Sequence, residues 1–280
     1  MRILADLHLH TTASDGVLTP HELADCVHTF GITHLAITDH DNLDGIPVMR
    51  EAVEAYGMIL ISGVELSCGG EREIHLLGYG MDIENTKLKL FCRQKRIERF
   101  ERAREMVRLL NKSSYLISEA RVMELAHGVP CRPHIAQALQ EAGYAYSIKE
   151  AFERFLMPGK CGYVPKKHVP VTEGIQIIRD AGGIPVLAHP MLMKKSHSVL
   201  SDLIREWAKA GLGGIEVFHP SADSGDIRAL LRIADACGLL VTGGSDFHGS
   251  RGGPESEIGA ALPRWTSMDS DISALLSALA

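Results

Sequence analysis

Short apolar runs alternate with stretches of helical periodicity along most of the chain. Alternating or continuous apolar runs predict strands near residues 3–10, 34–38, 58–66, 73–79, 184–188, 214–218 and 239–242. Helical patterns lie near residues 19–31, 42–56, 172–181, 198–210, 224–237 and 271–279. This rhythm is typical of βα units and predicts an α/β fold.

The pattern changes in the middle of the chain. Between residues 82 and 165 strand signals nearly vanish and long helical patterns replace them, notably at 85–110. We therefore predict a barrel domain made of residues 1–81 and 166–280, interrupted by a helical insertion subdomain at 82–165.

Residues that can bind a metal stand at the ends of several predicted strands. His8 and His10 are two residues apart, so in a strand their side chains point to the same side and can reach one ion. Asp15 lies in the turn that follows. A lone His-x-His pair is more often an ordinary strand end, but the signal recurs at the ends of later strands: His40, Glu65, His189, Asp246 and His248. In a β/α barrel those ends form one rim, where active sites lie, so the sequence predicts a metal site there.

Composition narrows the classes of protein. The chain has 280 residues, 14 histidines, 6 cysteines and a net charge of −6, which gives no overall case for a nucleic-acid or membrane surface but leaves room for a local basic groove. No apolar run approaches the roughly 18–20 residues of a membrane helix. The cysteines are scattered and the chain opens directly on a strand, so we expect no signal peptide, no structural zinc site and a reduced, cytoplasmic setting.

The motifs at these positions carry a family resemblance. In chain order they read D-L-H-L-H, T-x-S-D-G, I-T-D-H-D, G-V-E-L-S, A-H-P and G-S-D-F-H, from Asp6 to His248. They resemble the PHP (polymerase and histidinol phosphatase) superfamily, in particular the branch of stand-alone phosphoesterases that includes 3′,5′-nucleotide bisphosphate phosphatase and a 5′–3′ exoribonuclease. The helical insertion and the G-K-x-G-Y-V element at 159–164 are similar to that branch as well. The resemblance implies an α/β fold that is a distorted (β/α)7 PHP barrel with an inserted helical subdomain, holding a cluster of three metal ions.

The resemblance also implies which side chains bind these metals. The first metal would be held by His8, His10, Glu65 and Asp246; the second by Asp15, His40 and His248; and the third by Glu65, His75 and His134. Imidazole nitrogens and carboxylate oxygens suit Mn²⁺, Zn²⁺ or Fe²⁺ better than thiolate sites do, and the branch commonly uses Mn²⁺.

Further residues are expected to contact substrate. The resemblance implies that Arg132 binds a substrate phosphate and that His189 is a phosphate contact or proton donor rather than a ligand. Lys160 and Tyr163 are additional candidates for substrate binding. Members of the branch typically read A-H-P-G-R after the strand, whereas this chain lacks the arginine; whether Lys194 or Lys195 replaces it stays open.

Two aspartates, one further histidine and one basic helix complete the candidate site. Asp39 and Asp41 flank His40 and are expected to orient ligand imidazoles, while His219, at another strand end, is expected at the surface or behind the ligands. Residues 93–112 contain eight Lys or Arg against three Glu. Such a run is commonly a solvated helix with ion pairs, and a basic wall that holds phosphates is the alternative.

The resemblance implies a metal-dependent phosphoesterase that hydrolyses phosphomonoester or phosphodiester bonds with a metal-activated water. Expected substrates are 3′,5′-bisphosphonucleotides, 5′-phosphorylated short RNA, or both, with no membrane partner. The nearest alternative is a histidinol-phosphate-type phosphatase, which generally has His where this chain has Asp15. An amidohydrolase usually needs a carboxylated lysine at a strand end, and none stands there. A non-catalytic metal-binding module is disfavoured because the ligand set is complete. The oligomeric state stays open.

Overall fold

Within the part of the chain that the structure describes, seven strands form a single mixed sheet whose order in space follows their order in the chain. The computed structural model describes residues 4–69, 73–126, 128–249 and 269–279. The strands are β1 (Ala5–Leu9), β2 (His34–Ile37), β3 (Ile59–Gly69), β4 (Glu73–Tyr79), β5 (Ile184–Leu187), β6 (Gly214–Phe218) and β7 (Leu240–Gly243). β4 runs antiparallel to both of its neighbours, and all other neighbouring strands are parallel.

The sheet curls into a nearly closed barrel. Beyond β7, Phe247 pairs with Leu9 at the end of β1, and its carbonyl accepts a hydrogen bond of 3.0 Å from the His10 amide. The predicted seven-stranded α/β barrel is therefore confirmed. Buried aliphatic side chains from the strands pack against the surrounding helices and form the larger of two apolar clusters.

Helices follow the strands as the periodicity predicts. They are α1 (Pro20–Thr29), α2 (Gly45–Glu54), α7 (Val171–Asp180), α8 (His197–Lys209), α9 (Ser224–Cys237) and α10 (Asp269–Leu279), with a short 3-10 helix at Pro190–Met193. Thr19 caps α1 through a capping box with Glu22. α2 begins later than the predicted residue 42, because Asn42 and the two residues after it form a turn in which its side chain bonds to Ala13.

The insertion contains helices α3 (Thr86–Lys112), α4 (Glu119–Ala126), α5 (Arg132–Glu141) and α6 (Ile148–Ala151), the last continued by a π-helix at Phe152–Leu156. Their apolar faces bury a second cluster that includes Met106, Leu110 and Phe155. The first turns of α3 instead pack Leu88 and Cys92 against the barrel core. The presence of two separate apolar clusters among the described residues agrees with a barrel domain and an insertion subdomain. The boundaries of that insertion at residues 82 and 165 stay a prediction.

No helix in the described ranges is long and apolar enough to cross a membrane. All six cysteines are free.

Candidate metal centre

The strand ends bring most of the predicted ligands to one rim of the barrel. His8 and His10 lie on the same side at the end of β1, and His40 lies three residues after the end of β2, where it pairs with Glu65 of β3. His75 reaches the same place from the other direction, because β4 is antiparallel to β3 and its residue 75 pairs with Ser67. Asp246 and His248 follow β7, whose end lies against β1.

Three groups of ligand atoms form at this rim, the atoms of each group lying within 4.8 Å of one another. They are His8, His10, Glu65 and Asp246; His10, Asp15, His40 and His248; and His40, Glu65 and His75. The first group is the predicted first set, and the second is the predicted second set with His10 added. The structure thus brings eight of the nine predicted ligands together.

Glu65 is the centre of the cluster. Its Oε2 lies 3.0 Å from His40 Nδ1, 3.3 Å from His10 Nε2 and 3.5 Å from His8 Nε2. Its Oε1 lies 2.7 Å from His75 Nδ1. Burial by itself would raise the pKa of this carboxyl, but the surrounding imidazoles outweigh burial and hold the pKa well below its usual range. A carboxylate with both oxygens facing different imidazoles is placed to bridge two cations.

The buried carboxylates at the rim create an electrostatic field that favours cations. Burial would lower the pKa of His75, but the Glu65 and Glu73 carboxylates outweigh it and raise the pKa to about 10. Asp15 acts in the same way on His248, whose pKa is also raised to about 10 against the effect of burial. A field that holds protons on imidazoles at neutral pH attracts a divalent cation to the same atoms, so protons and metal compete there.

Several buried polar atoms at the rim have no hydrogen-bond partner, which is rare in folded proteins. Among the described residues they include ring nitrogens and carboxylate oxygens that face one another: His8 Nε2, His10 Nδ1 and Nε2, His40 Nδ1, Asp15 Oδ1 and Glu65 Oε2. Cations coordinated between these atoms would satisfy them. The donor set of nitrogen and carboxylate oxygen fits Mn²⁺, Zn²⁺ or Fe²⁺.

The third group differs from its predicted composition. His134 is buried in the first turn of α5, where its Nδ1 accepts a hydrogen bond of 3.0 Å from the Cys131 amide, and it belongs to none of the three groups. In the third group His40 accompanies Glu65 and His75. His189 also belongs to none of the groups, but its Nε2 lies 2.9 Å from Glu65 Oε1 and 3.2 Å from His75 Nδ1. Its backbone is left-handed, with φ 27° and ψ 60°, which is costly for a non-glycine residue and is often found at functional sites.

The two aspartates beside His40 do not orient ligand imidazoles, so that prediction is wrong. Asp39 accepts hydrogen bonds from the Thr11 amide at 2.8 Å and the Ser14 hydroxyl at 2.6 Å, and thereby orders the loop that leads to Asp15. Asp41 has a left-handed backbone with φ 49°, and its carboxylate accepts from the Ser67 amide and from Arg99. Which partners these side chains find depends on contacts with distant segments.

A cleft opens beside the metal groups. Asp15, His40 and His75 line it on the barrel side, and four cationic side chains line it elsewhere: Arg99, Arg102, Arg132 and Lys166. Arg132, a predicted phosphate contact, lies with its Nη2 3.8 Å from Glu73 Oε2. Lys166 is largely buried and also bonds to Glu73.

Of the other predicted substrate contacts, Lys160 is exposed in a turn and Tyr163 is half-buried, and neither lines this cleft. Their role in binding stays a prediction. Lys166 was missed by sequence reasoning, although the two lysines that follow G-K-x-G-Y-V-P could have drawn attention to it.

The basic stretch of α3 supports both earlier interpretations, on different faces. Its outer face is ion-paired: Arg104 lies 2.9 Å from Glu119 and Arg108 lies 2.6 Å from Glu105. Arg102 instead turns towards the cleft, where its Nε donates to the Val164 carbonyl at 2.9 Å. The helix therefore contributes to the cationic wall only through its inner face.

Comparison with known proteins gives concordant matches. A family model described as the PHP domain matches residues 6–155. The 5′-3′ exoribonuclease Rnm of Salmonella typhimurium is 35% identical over 250 residues, covering 88% of this chain and 85% of the relative. The 3′,5′-nucleoside bisphosphate phosphatase of Chromobacterium violaceum is 32% identical over 246 residues, covering 87% and 86%. A crystal structure from Bifidobacterium adolescentis, described as a metal-dependent phosphoesterase, has a TM-score of 0.86 at 31% identity, covering 98% of this chain and 96% of that one.

Proposed function

The chain belongs to the PHP domain family and is a metal-dependent hydrolase of phosphoester bonds, and we propose that its substrates are 3′,5′-bisphosphonucleotides, 5′-phosphorylated short RNA, or both. The observation that carries this proposal is the cleft in which the metal groups face Arg102, Arg132 and Lys166. A substrate with more than one phosphate can place one at the metals and another against these cations. The names of two relatives, an exoribonuclease and a bisphosphate phosphatase, agree with a substrate of this kind.

We propose that the centre binds three divalent ions, with Mn²⁺ as the first choice because the family resemblance implies it; the ligand atoms also suit Zn²⁺ or Fe²⁺. When bound, such ions neutralise charge on a phosphoryl group and generate a nucleophile from water at neutral pH. The third ion is proposed to be held by Glu65, His75 and His189, with His189 in the place first predicted for His134. The support is the short distance of His189 Nε2 from Glu65 and from His75.

The protein's own groups bind and orient the substrate. Arg132 and Arg102 carry guanidinium forks that suit phosphate oxygens, and Lys166 adds a compact charge. Glu73 holds Lys166 and lies beside Arg132, so it limits their movement before a phosphate replaces it as their partner.

The test is a comparison of substrates with added Mn²⁺: a 3′,5′-bisphosphonucleotide, a short 5′-phosphorylated RNA and histidinol phosphate. We expect hydrolysis of one or both nucleotide substrates and its loss in Glu65→Gln and Asp246→Asn. Glu119→Gln, which removes a carboxylate from an exposed ion pair, is the control and should keep full activity. Preference for histidinol phosphate, or full activity in Glu65→Gln, would contradict the proposal.

The third site has its own test. Metal content per chain, measured by mass spectrometry after dialysis, should fall by about one ion in His189→Ala, because His189 Nε2 lies beside Glu65 and His75. It should stay unchanged in His134→Ala, because His134 Nδ1 accepts a hydrogen bond from the Cys131 amide and we propose no ligand role for it. The reverse result would return His134 to the ligand set.

A further inference from the structure

β6 contributes no ligand to the three groups formed by the described residues, yet one polar side chain in the strand and one just after it contact members of these groups directly. Glu216 lies in the strand with its side chain 0% exposed. Its Oε1 is 2.8 Å from His8 Nδ1, and its Oε2 accepts a hydrogen bond of 2.6 Å from the His189 amide. His219 follows the end of β6 and is buried, so its predicted place at the surface is wrong and the alternative place behind the ligands is the one observed.

As a carboxylate, Glu216 accepts hydrogen bonds from both of its partners. The His189 amide is a donor, and His8 Nδ1 lies at hydrogen-bond distance from the other oxygen. If Nδ1 donates to Glu216, the lone pair of neutral His8 is on Nε2, the atom 3.3 Å from Asp246 Oδ1 and 3.5 Å from Glu65 Oε2. A histidine that binds a metal commonly donates its second ring N–H to a carboxylate in this way.

The same carboxylate also holds a strained piece of main chain. His189 has a left-handed backbone, which side chains disfavour, and its amide donates the short hydrogen bond to Glu216. A charge-assisted bond of this kind stabilises the unusual conformation and keeps the His189 ring beside Glu65. Glu216 therefore links a ligand on β1 to the loop that follows β5.

His219 makes a corresponding contact to Asp246. Its Nδ1 accepts from the Ser221 amide at 3.0 Å, so in the neutral ring the proton is on Nε2, which lies 3.4 Å from Asp246 Oδ2. The other oxygen, Oδ1, faces His10 at 3.2 Å and His8 at 3.3 Å. One oxygen of Asp246 is thus held by His219 while the other faces the first metal group.

We propose that Glu216 and His219 are positioning residues of the first metal site: they fix His8 and Asp246 in the orientation that binds the ion, without binding it themselves. This proposal rests on the proposed metal-dependent function. For Glu216 this role is contained in neither the ligand motifs nor the predicted contacts; for His219 it specifies the predicted place behind the ligands.

The experiment compares Glu216→Gln with the charge control Glu206→Gln, an exposed residue of α8. Glutamine has the size of glutamate, but whichever way its amide turns, its NH₂ faces one of the two donors. We expect Mn²⁺ affinity, measured by titration calorimetry without substrate, to fall roughly 10–100-fold in Glu216→Gln and to be unchanged in the control. Saturating Mn²⁺ should restore much of kcat with KM for substrate near that of the parent protein, which general structural damage would not allow.

A second variant guards against a failure of Glu216→Gln to fold, which circular dichroism would show. His219→Gln removes the contact to Asp246 and should weaken Mn²⁺ binding by roughly 10-fold or more. Parental Mn²⁺ affinity in either folded variant would overturn the role proposed for that residue. Because these titrations need no substrate, a protein that binds Mn²⁺ as expected but hydrolyses no nucleotide would refute only the proposed function.

Discussion

A buried ion pair joins the insertion to the loop that carries His40. Arg99 of α3 places its Nη2 2.8 Å and its Nε 3.1 Å from Asp41 Oδ2, and the same Nη2 lies 2.9 Å from the Ser67 hydroxyl. The side chains of Arg99 and Asp41 are only 12% and 1% exposed. We expect Arg99→Met, which keeps much of the apolar stem and removes the charge, to destabilise the protein strongly.

The magnitude follows from Asp41. Burial alone would raise the pKa of this carboxyl, but Arg99 and Lys166 outweigh it and lower the pKa from 3.8 to about 2. That difference corresponds to roughly 2–3 kcal/mol of stability at neutral pH. Because the folded-state pKa is depressed, this stabilisation is present above pH 3.8 and is lost as the pH falls through about 2. Leaving a buried carboxylate without its partner adds a desolvation cost, so we expect Arg99→Met to lose about 3–5 kcal/mol.

The assay is urea unfolding at pH 7, which gives the free energy of unfolding by linear extrapolation. Arg96→Met is the matched control, since Arg96 lies on the same helix and pairs with Asp44 of the same loop at 3.0 Å. Their side chains are 44% and 71% exposed, so this pair should contribute only about 0.2–1 kcal/mol. Equal, small losses in the two variants would refute the argument that burial makes the Arg99 pair important.

Three further outcomes are expected. The pKa of His75 in the metal-free protein is raised to about 10, so a metal ion that binds there must displace a proton. Mn²⁺ affinity should therefore rise with pH, and calorimetry in buffers of different ionisation enthalpy should detect proton release. Binding that does not depend on pH would contradict this. In Gly244→Ala the new Cβ would lie 2.3 Å from His8 Cβ. The free energy of unfolding, measured by thermal unfolding, should therefore fall by about 1–3 kcal/mol, and metal binding should weaken. Parental stability would show that the strands can separate there at no cost. In steady-state kinetics, Lys166→Met should raise KM for a bisphosphonucleotide roughly 10-fold or more. The control Lys167→Met, which changes the exposed neighbouring lysine, should have little effect. Equal effects of the two variants would exclude a specific phosphate contact by Lys166.

The strands and a metal site at their ends could be predicted from local pattern, whereas the seven-stranded barrel and the full ligand set came from the family resemblance. The side-chain alternation that places His8 and His10 on one side is a property of any strand, and the apolar runs mark where each strand ends. A set of imidazoles and carboxylates at those ends predicts a metal site without knowledge of which strands are neighbours. The assignment of ligands to each metal came from the family resemblance, and the first group of ligand atoms consists of the four residues that the resemblance implies.

Contacts between distant segments were decided only by the tertiary structure. His189 lies beside Glu65 because β5 pairs antiparallel with β4 and brings its end to His75. No periodicity reveals that Glu216 meets His8 across 208 residues of chain, since a buried carboxylate in a strand has many partners it could reach. Charge pairing and ring orientation depend on distances of a few ångströms between segments, and those distances follow from packing rather than from local sequence.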